Sequence, residues 1–171
     1  MRRIRSFPPD DRHRVLDQLS RTTQNTIART RSDDWLAIEF AIEVCDALAD
    51  ALGSERAVEF WRDVVYDSWV GGLLEPLIAS ARGSNKNALA LAPAAWALSA
   101  QDCGEVVIVD DDSGRLRLEA RGLPSNVRNS PGVQAMYAGA LKAMLAFSKL
   151  SASVEILAEG EGPLAFKLEF R

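Results

Sequence analysis

Ser130–Phe147 reads SPGVQAMYAGALKAMLAF. Val133, Met136, Tyr137, Ala140, Leu141, Met144 and Leu145 recur at three- and four-residue spacing, the period of one face of an α-helix. Ser130 is placed to cap the first turn. Pro131 stands at the first helical position, where a missing N–H costs nothing and φ is already set. Ala138, Gly139, Ala140 and Ala143 are small, so the helix is able to approach the sheet or another helix closely. On each side lies a pair of short alternating segments. The stretch is therefore the helix of a ββαββ unit.

The flanking segments carry the strand signal. GEVVIVDD (104–111) is a strand, DDSG a turn and RLRLEA (115–120) a second strand. In the latter, Leu116, Leu118 and Ala120 face one way and Arg115, Arg117 and Glu119 the other, which predicts a hairpin with one wet face. GLPSNVRN (122–129) reads as a loop. After the helix, ASVEILAE is a strand, GEG a turn and PLAFKLEF the last strand. Two antiparallel hairpins around one helix predict a four-stranded antiparallel sheet with that helix on its apolar face.

The first half is helical. Pro8 and Pro9 open a short helix striped by Val15, Leu16 and Leu19. Ser20–Thr30 is polar and either continues that helix or forms a loop. Ser32-Asp33-Asp34 is an N-terminal signal for a long helix from Trp35, apolar round most of its circumference and ended by Gly53. Ser54 is placed to cap the next helix (55–70). There Val58, Trp61, Val64, Val65 and Trp69 share a face until Gly71-Gly72 breaks it. LLEPLIASA resumes a helix, ARGSNKN is a loop, and ALALAPAAWALSA supplies one or two short helical turns. Helices first and strands later make the fold class α+β: a helical N-terminal half followed by ββαββ. The domain reading is a basic arm with a short helix over 1–31, and one α+β domain over 32–171. That domain divides into a helical layer at 32–100 and the ββαββ unit at 104–171.

Composition narrows the classes. Apolar residues make up 47% and charged residues 26% of 171, the balance of an ordinary globular domain. A net charge of −4 argues against a general nucleic-acid binder. The charge is uneven: residues 1–32 hold eight Arg and three Asp, net +5, which leaves −9 for the remainder. Such an arm is either a solvated N-terminus or a docking element for an acidic partner. No apolar run reaches membrane-spanning length, and MRRIRSFPPDDRHR lacks the apolar core of a secretory signal, so the expectation is a cytoplasmic protein without a membrane span. Cys45 and Cys103 are far apart; Cys45 reads as a small core residue, and neither a disulfide nor zinc is expected.

Catalytic chemistry has little to work with. His13, the only histidine, lies in the charged segment DDRHR and reads as a surface residue. Asp33-Asp34 caps a helix, Asp110-Asp111-Asp112 sits in a hairpin turn without calcium-loop spacing, and Glu159 and Glu161 flank another turn. No phosphate-cradling glycine loop, GxSxG or HExxH is present. The aromatic residues say more. Phe60, Trp61, Tyr66 and Trp69 cluster within ten positions, with Trp35 and Trp96 on other helices. A tryptophan stripe at helical spacing first of all fills space. Its functional reading is the wall of an apolar pocket between helices and sheet, lined by Trp61, Trp69, Trp96 and Tyr137, for a small hydrophobic ligand.

The C-terminal half resembles a known group. Gly139, Val154, Glu155, Gly160, Gly162, Phe166, Leu168 and Phe170 lie in YAGALKAMLAFSKLSASVEILAEGEGPLAFKLEF. They look like the end of the vinyl-reductase-like domains, the small subunits of the TRAPP vesicle-tethering complex and the haem-NO-binding domains. LGSERAVEFWRD, PAAWALSAQDCGEV and LEARGLPSNVRNSP look most like uncharacterised myxobacterial paralogues of that group. The resemblance spans about 32–171 and implies a sensor or adaptor, not an enzyme. It departs from the family where cofactors bind. No histidine follows position 13, there is no Tyr-x-Ser-x-Arg clamp for haem, and two cysteines do not rebuild a metal cluster. The expectation is thus a non-catalytic binding, sensor or adaptor domain with no cofactor and no metal. The alternative is a protein-interaction module that forms a homodimer or docks a partner.

Overall fold

A computed structural model describes residues 7–31, 36–67, 89–99, 102–110, 116–157 and 162–170. In chain order the described elements are helices α1 (Pro9–Gln18), α2 (Arg21–Arg29), α3 (Ile38–Leu52), α4 (Ser54–Tyr66) and α5 (Ala92–Ser99). Then follow strands β1 (Glu105–Asp110) and β2 (Leu116–Arg121), helices α6 (Ser125–Arg128) and α7 (Pro131–Phe147), and strands β3 (Ala152–Leu157) and β4 (Leu164–Phe170). The fold is α+β, with a helical first half and one four-stranded antiparallel sheet in the order β1-β2-β4-β3.

Strand alternation sets the register. Leu118 stands opposite Ile108 on one side and Phe166 on the other, and Phe166 stands opposite Ile156. Leu116, Leu168 and Val154 form the next apolar row. These side chains and Leu141, Met144, Leu145 and Phe147 of α7 make one continuous core. Each fully buried Leu or Phe there contributes about 1.5–3 kcal/mol. β2 and β3 both run antiparallel to β4, so α7 connects two parallel strands with β4 between them.

The helix is buried on more than the expected face. The sheet takes one side, and α3 and α4 take the other. Gly132, Gly139 and Ala143 are seven and four apart, within about 40° of one stripe. A Cβ at Gly132 would overlap the Cys45 carbonyl and the Asp46 nitrogen on α3. A Cβ at Gly139 would lie 2.5 Å from the Val58 carbonyl oxygen, 2.7 Å from the Trp61 Cβ and 2.8 Å from the Arg62 nitrogen on α4. Backbone passes backbone with no side chain between. The entry to α7 is fixed at the same place. The Ser130 hydroxyl accepts from the Val133 N–H at 3.0 Å, as the sequence predicts. The same hydroxyl donates to Asp46 Oδ1 at 2.6 Å, and the Gly132 N–H donates to that oxygen at 2.9 Å. A carboxylate from α3 thus sits at the positive end of α7.

Elsewhere the structure corrects several expectations. The long third helix begins at Ile38, not Trp35; the Ser32-Asp33-Asp34 signal and Trp35 lie outside the described residues. Ser54 is the first helical residue of α4 and does not cap it. Gly53 closes α3 and opens α4 by itself, at φ +81, a conformation that only glycine adopts without strain. Within Ser20–Thr30, Arg21–Arg29 is a separate helix whose first turn is capped by Ser20 accepting from the Thr23 N–H at 3.1 Å. Residues 7–31 of the basic arm are therefore ordered mostly as two helices against α3, with Val15 and Thr23 fully buried. The loop after β2 contains the short helix α6. The second hairpin strand does not have a uniformly wet face. Glu119 is buried because Arg117 and Arg121, two positions either side on the same strand, fold over its carboxylate. Burial pushes the Glu119 carboxyl up, and the two guanidiniums outweigh that and hold it below the usual range. Gly71-Gly72, the LLEPLIASA segment and the DDSG turn lie outside the described residues.

Gly139→Leu is expected to destabilise the fold by about 1–3 kcal/mol or more through overpacking. Ala146→Leu, on the exposed side of the same helix, should stay within about 0.5 kcal/mol. Urea denaturation of both variants makes the comparison. A second expectation concerns acid. Hydrogen bonds from Arg56 and Arg14 hold Asp11 below its ordinary value, and those from Thr23 and Ser20 do the same for Glu43. The stability these carboxylates supply is complete above their unfolded pKa of about 4 and is lost as pH falls through the lower folded values. Melting temperature against pH should drop across that acid window, and Glu43→Gln should flatten the drop.

Candidate functional site

Trp96 and Tyr137 meet where α5, α7 and the sheet converge. Their ring centroids are 4.6 Å apart with planes at 58°. Tyr137 in turn stands edge-on to Phe166 of β4, at 6.4 Å and 90°. Such tilted and edge-to-face pairs set the positive rim of one ring against the negative face of the next. Both Trp96 and Tyr137 are only partly buried, unlike most of α7.

Each ring is held by its own local structure. Trp96 lies on α5, and its indole N–H donates to the Gly104 carbonyl at 3.2 Å. Gly104 has φ +71, and a Cβ there would overlap the Arg121 carbonyl oxygen, so glycine is required where β1 starts beside the end of β2. Tyr137 is positioned by α7 and borders both the main core and a small cluster of Cys45, Val127 and Val133. Burial, and then the neighbouring sulfurs of Cys103 and Cys45, push the Tyr137 hydroxyl well above the ordinary tyrosine value. It is a neutral phenol across the physiological range.

Cys45 is an inert group here. Cys45 is buried with its Sγ 3.7 Å from the Met136 sulfur, and burial followed by the Asp46 charge pushes its thiol up to about 12. A nucleophile or metal ligand needs the thiolate, which Cys45 does not form near neutrality. Cys103 is likewise buried and free. His13 is exposed on α1. Among the described residues no three His, Cys, Asp or Glu side chains come together to hold a metal ion.

Of the four residues expected to line a pocket, Trp96 and Tyr137 are in ring contact. Trp61 lies elsewhere: its Cβ faces Gly139, about 200° round the helix from Tyr137. It stacks edge-on with Phe60 at 5.3 Å, and its Nε1 is buried with no hydrogen-bond acceptor. Trp61 and Tyr137 share only the border of the Cys45 cluster. Trp69 lies outside the described residues. Sequence reasoning missed Phe166 as the third ring and Cys103 as the neighbouring thiol. Phe166 had a signal, since alternation already put it on the inner face. Cys103 had none, because its proximity depends on how α5 packs.

In the native protein Cys45 is expected to resist iodoacetamide at neutral pH and to be alkylated once guanidinium unfolds the chain. Intact-protein mass spectrometry reads the difference; native alkylation at the unfolded rate would contradict the placement of Cys45.

No protein-family model matches the chain, and none of the curated proteins matches it.

Proposed function

We propose that this chain is a non-catalytic small-molecule-binding domain of the sensor or adaptor kind, taking a small hydrophobic ligand at an apolar site between the helices and the sheet. The observation that supports this reading is the Trp96–Tyr137 pair. Two large rings from distant helices, Trp96 on α5 and Tyr137 on α7, are brought together and left partly open. The groups gathered there are rings, thiols and one phenol. They suit stacking and a single hydrogen bond, not acid–base or nucleophilic chemistry. The resemblance to the vinyl-reductase-like, TRAPP-subunit and haem-NO-binding group supports the same reading, with the histidine and cysteine clusters of its cofactor-binding members missing. A cytoplasmic location is part of the proposal and rests on the two free thiols.

A second reading, as a homodimer or partner-docking module, is favoured by a different feature. Tyr66 at the end of α4 is 48% exposed and stacks on Phe147 at 4.6 Å and 9°. A rigid, half-open aromatic step of this kind suits a protein interface.

Native mass spectrometry of the purified full chain tests the first reading. The expected result is an added mass that organic denaturation releases. Trp96→Ala and Tyr137→Ala should lose it while keeping the far-ultraviolet circular dichroism of the parent. A bare chain mass, together with no change in tryptophan fluorescence on titrating a set of apolar aromatic probes, would remove the proposal. A monomer at all concentrations in light scattering would remove the homodimer form of the second.

A further inference from the structure

We propose that α1 and α2 form a releasable strap, latched to α3 and α4 by two carboxylates, Asp11 and Glu43, over an apolar stripe that its opening uncovers. The proposal stands apart from the ligand-binding reading and uses none of its residues.

Three observations carry it. First, the strap has its own small core. Val15 and Leu19 pack against Ala47, Leu48, Ala51 and Leu52 of α3, with Phe7, Leu16 and Ile27 at the margin. This cluster is separate from the core that joins the sheet, α4 and α7. On the α3 side it rests on two alanines and two leucines, apart from the main core. A unit with its own separate cluster opens at lower free energy than the whole.

Second, among the described residues the hydrogen bonds and ion pairs from α1, α2 and the Ser20 cap to α3 and α4 run through two carboxylates. Asp11 on α1 is buried and takes Arg14 of its own helix and Arg56 of α4. Glu43 on α3 accepts from the Ser20 N–H and the Thr23 hydroxyl, with the Ser20 hydroxyl 3.2 Å away. Thr23 has no solvent exposure, so α2 is pinned at its first turn by a side chain from another helix. One latch holds each helix. Losing Glu43 leaves the buried Thr23 hydroxyl without that partner, which is costly, whereas the Arg14 and Arg56 partners of Asp11 are more than half exposed and hydrate readily.

Third, a buried donor without an acceptor lies at the border of the strap's cluster. Trp61 borders the strap's cluster, and its buried indole N–H has no acceptor. Buried donors are nearly always satisfied, so an orphan one favours the state that lets water reach it. Phe7 lies against Phe60 at 5.1 Å, and Phe60 against Trp61, which links the strap's edge to that ring. Opening would bare Leu48, Leu52 and Phe60 along one side of α3 and α4.

Hydrogen exchange read by mass spectrometry, on the full chain across a guanidinium series, tests the strap. Residues 9–29 should lose protection at lower denaturant than residues 131–147 and 164–170. Glu43→Ala should speed exchange in 9–29 by about tenfold or more, the factor for one charged hydrogen bond, and Asp11→Asn by a smaller factor because its guanidinium partners are more than half exposed, and both should leave 131–147 unchanged. Loss of protection at one common midpoint in the parent chain would overturn the proposal. So would latch variants that leave 9–29 unmoved, or that raise exchange equally throughout. If a variant fails to fold, the denaturant series on the parent chain still decides.

Discussion

Two missing side chains let this fold close. At Gly132 and Gly139 the backbone of α7 lies against the backbones of α3 and α4, at separations where any Cβ would collide. Contact this close raises packing density and fixes the helices in translation, because a slide of one residue would put a side chain into the gap. Asp46 supplies the direction that packing alone lacks. By accepting from the Ser130 hydroxyl and the Gly132 amide, it ties the start of α7 to one point on α3. With α7 held on that side, its larger residues Leu141, Met144 and Leu145 are left for the core shared with the sheet, while Phe147 stacks on Tyr66 of α4. The helical layer and the sheet are thereby two faces of one buried helix.

Buried or partly buried carboxylates recur, three joining one element to another and one closed over within its own strand. Asp46 takes the start of α7, Glu43 the start of α2, Asp11 joins α1 to α4, and Glu119 is closed over by Arg117 and Arg121. Each sits where positive partial or full charge is already present, at a helix N-terminus or between guanidiniums. Apolar burial supplies most of the driving force but tolerates many arrangements. Polar groups with a unique set of partners do not, since every alternative leaves one of them unsatisfied.

The same helix separates two regions of different character. On one side the Trp96, Tyr137 and Phe166 rings gather at the sheet, with the Cys45 and Cys103 thiols beside them. On the other, Trp61 is pressed between Gly139 and the aromatic edge beneath α1. Both regions adjoin α7, which meets the backbone of α4 at Gly139. A binding domain with a strap on its far side would have a physical route between the two, since tightly packed helices shift as units rather than deform.

Local patterns were legible in the amino acids. Ser130 and Pro131 mark where α7 begins, alternation in RLRLEA and PLAFKLEF separates inner from outer residues, and Gly53 ends α3. These follow from backbone geometry within a few residues, which a chain carries wherever it folds. The residues gathered near the aromatic pair were legible only in part. Trp96 and Tyr137 stood out as large rings on helices, but nothing in their spacing joined them or set Trp61 apart. Tertiary packing decided those points, as it decided the strand order β1-β2-β4-β3, the burial of Glu119, and the use of Gly132 and Gly139 against helices. Each depends on which distant segment arrives as neighbour. Periodicity says that a face is apolar or a residue small, and only the assembled fold supplies what it meets.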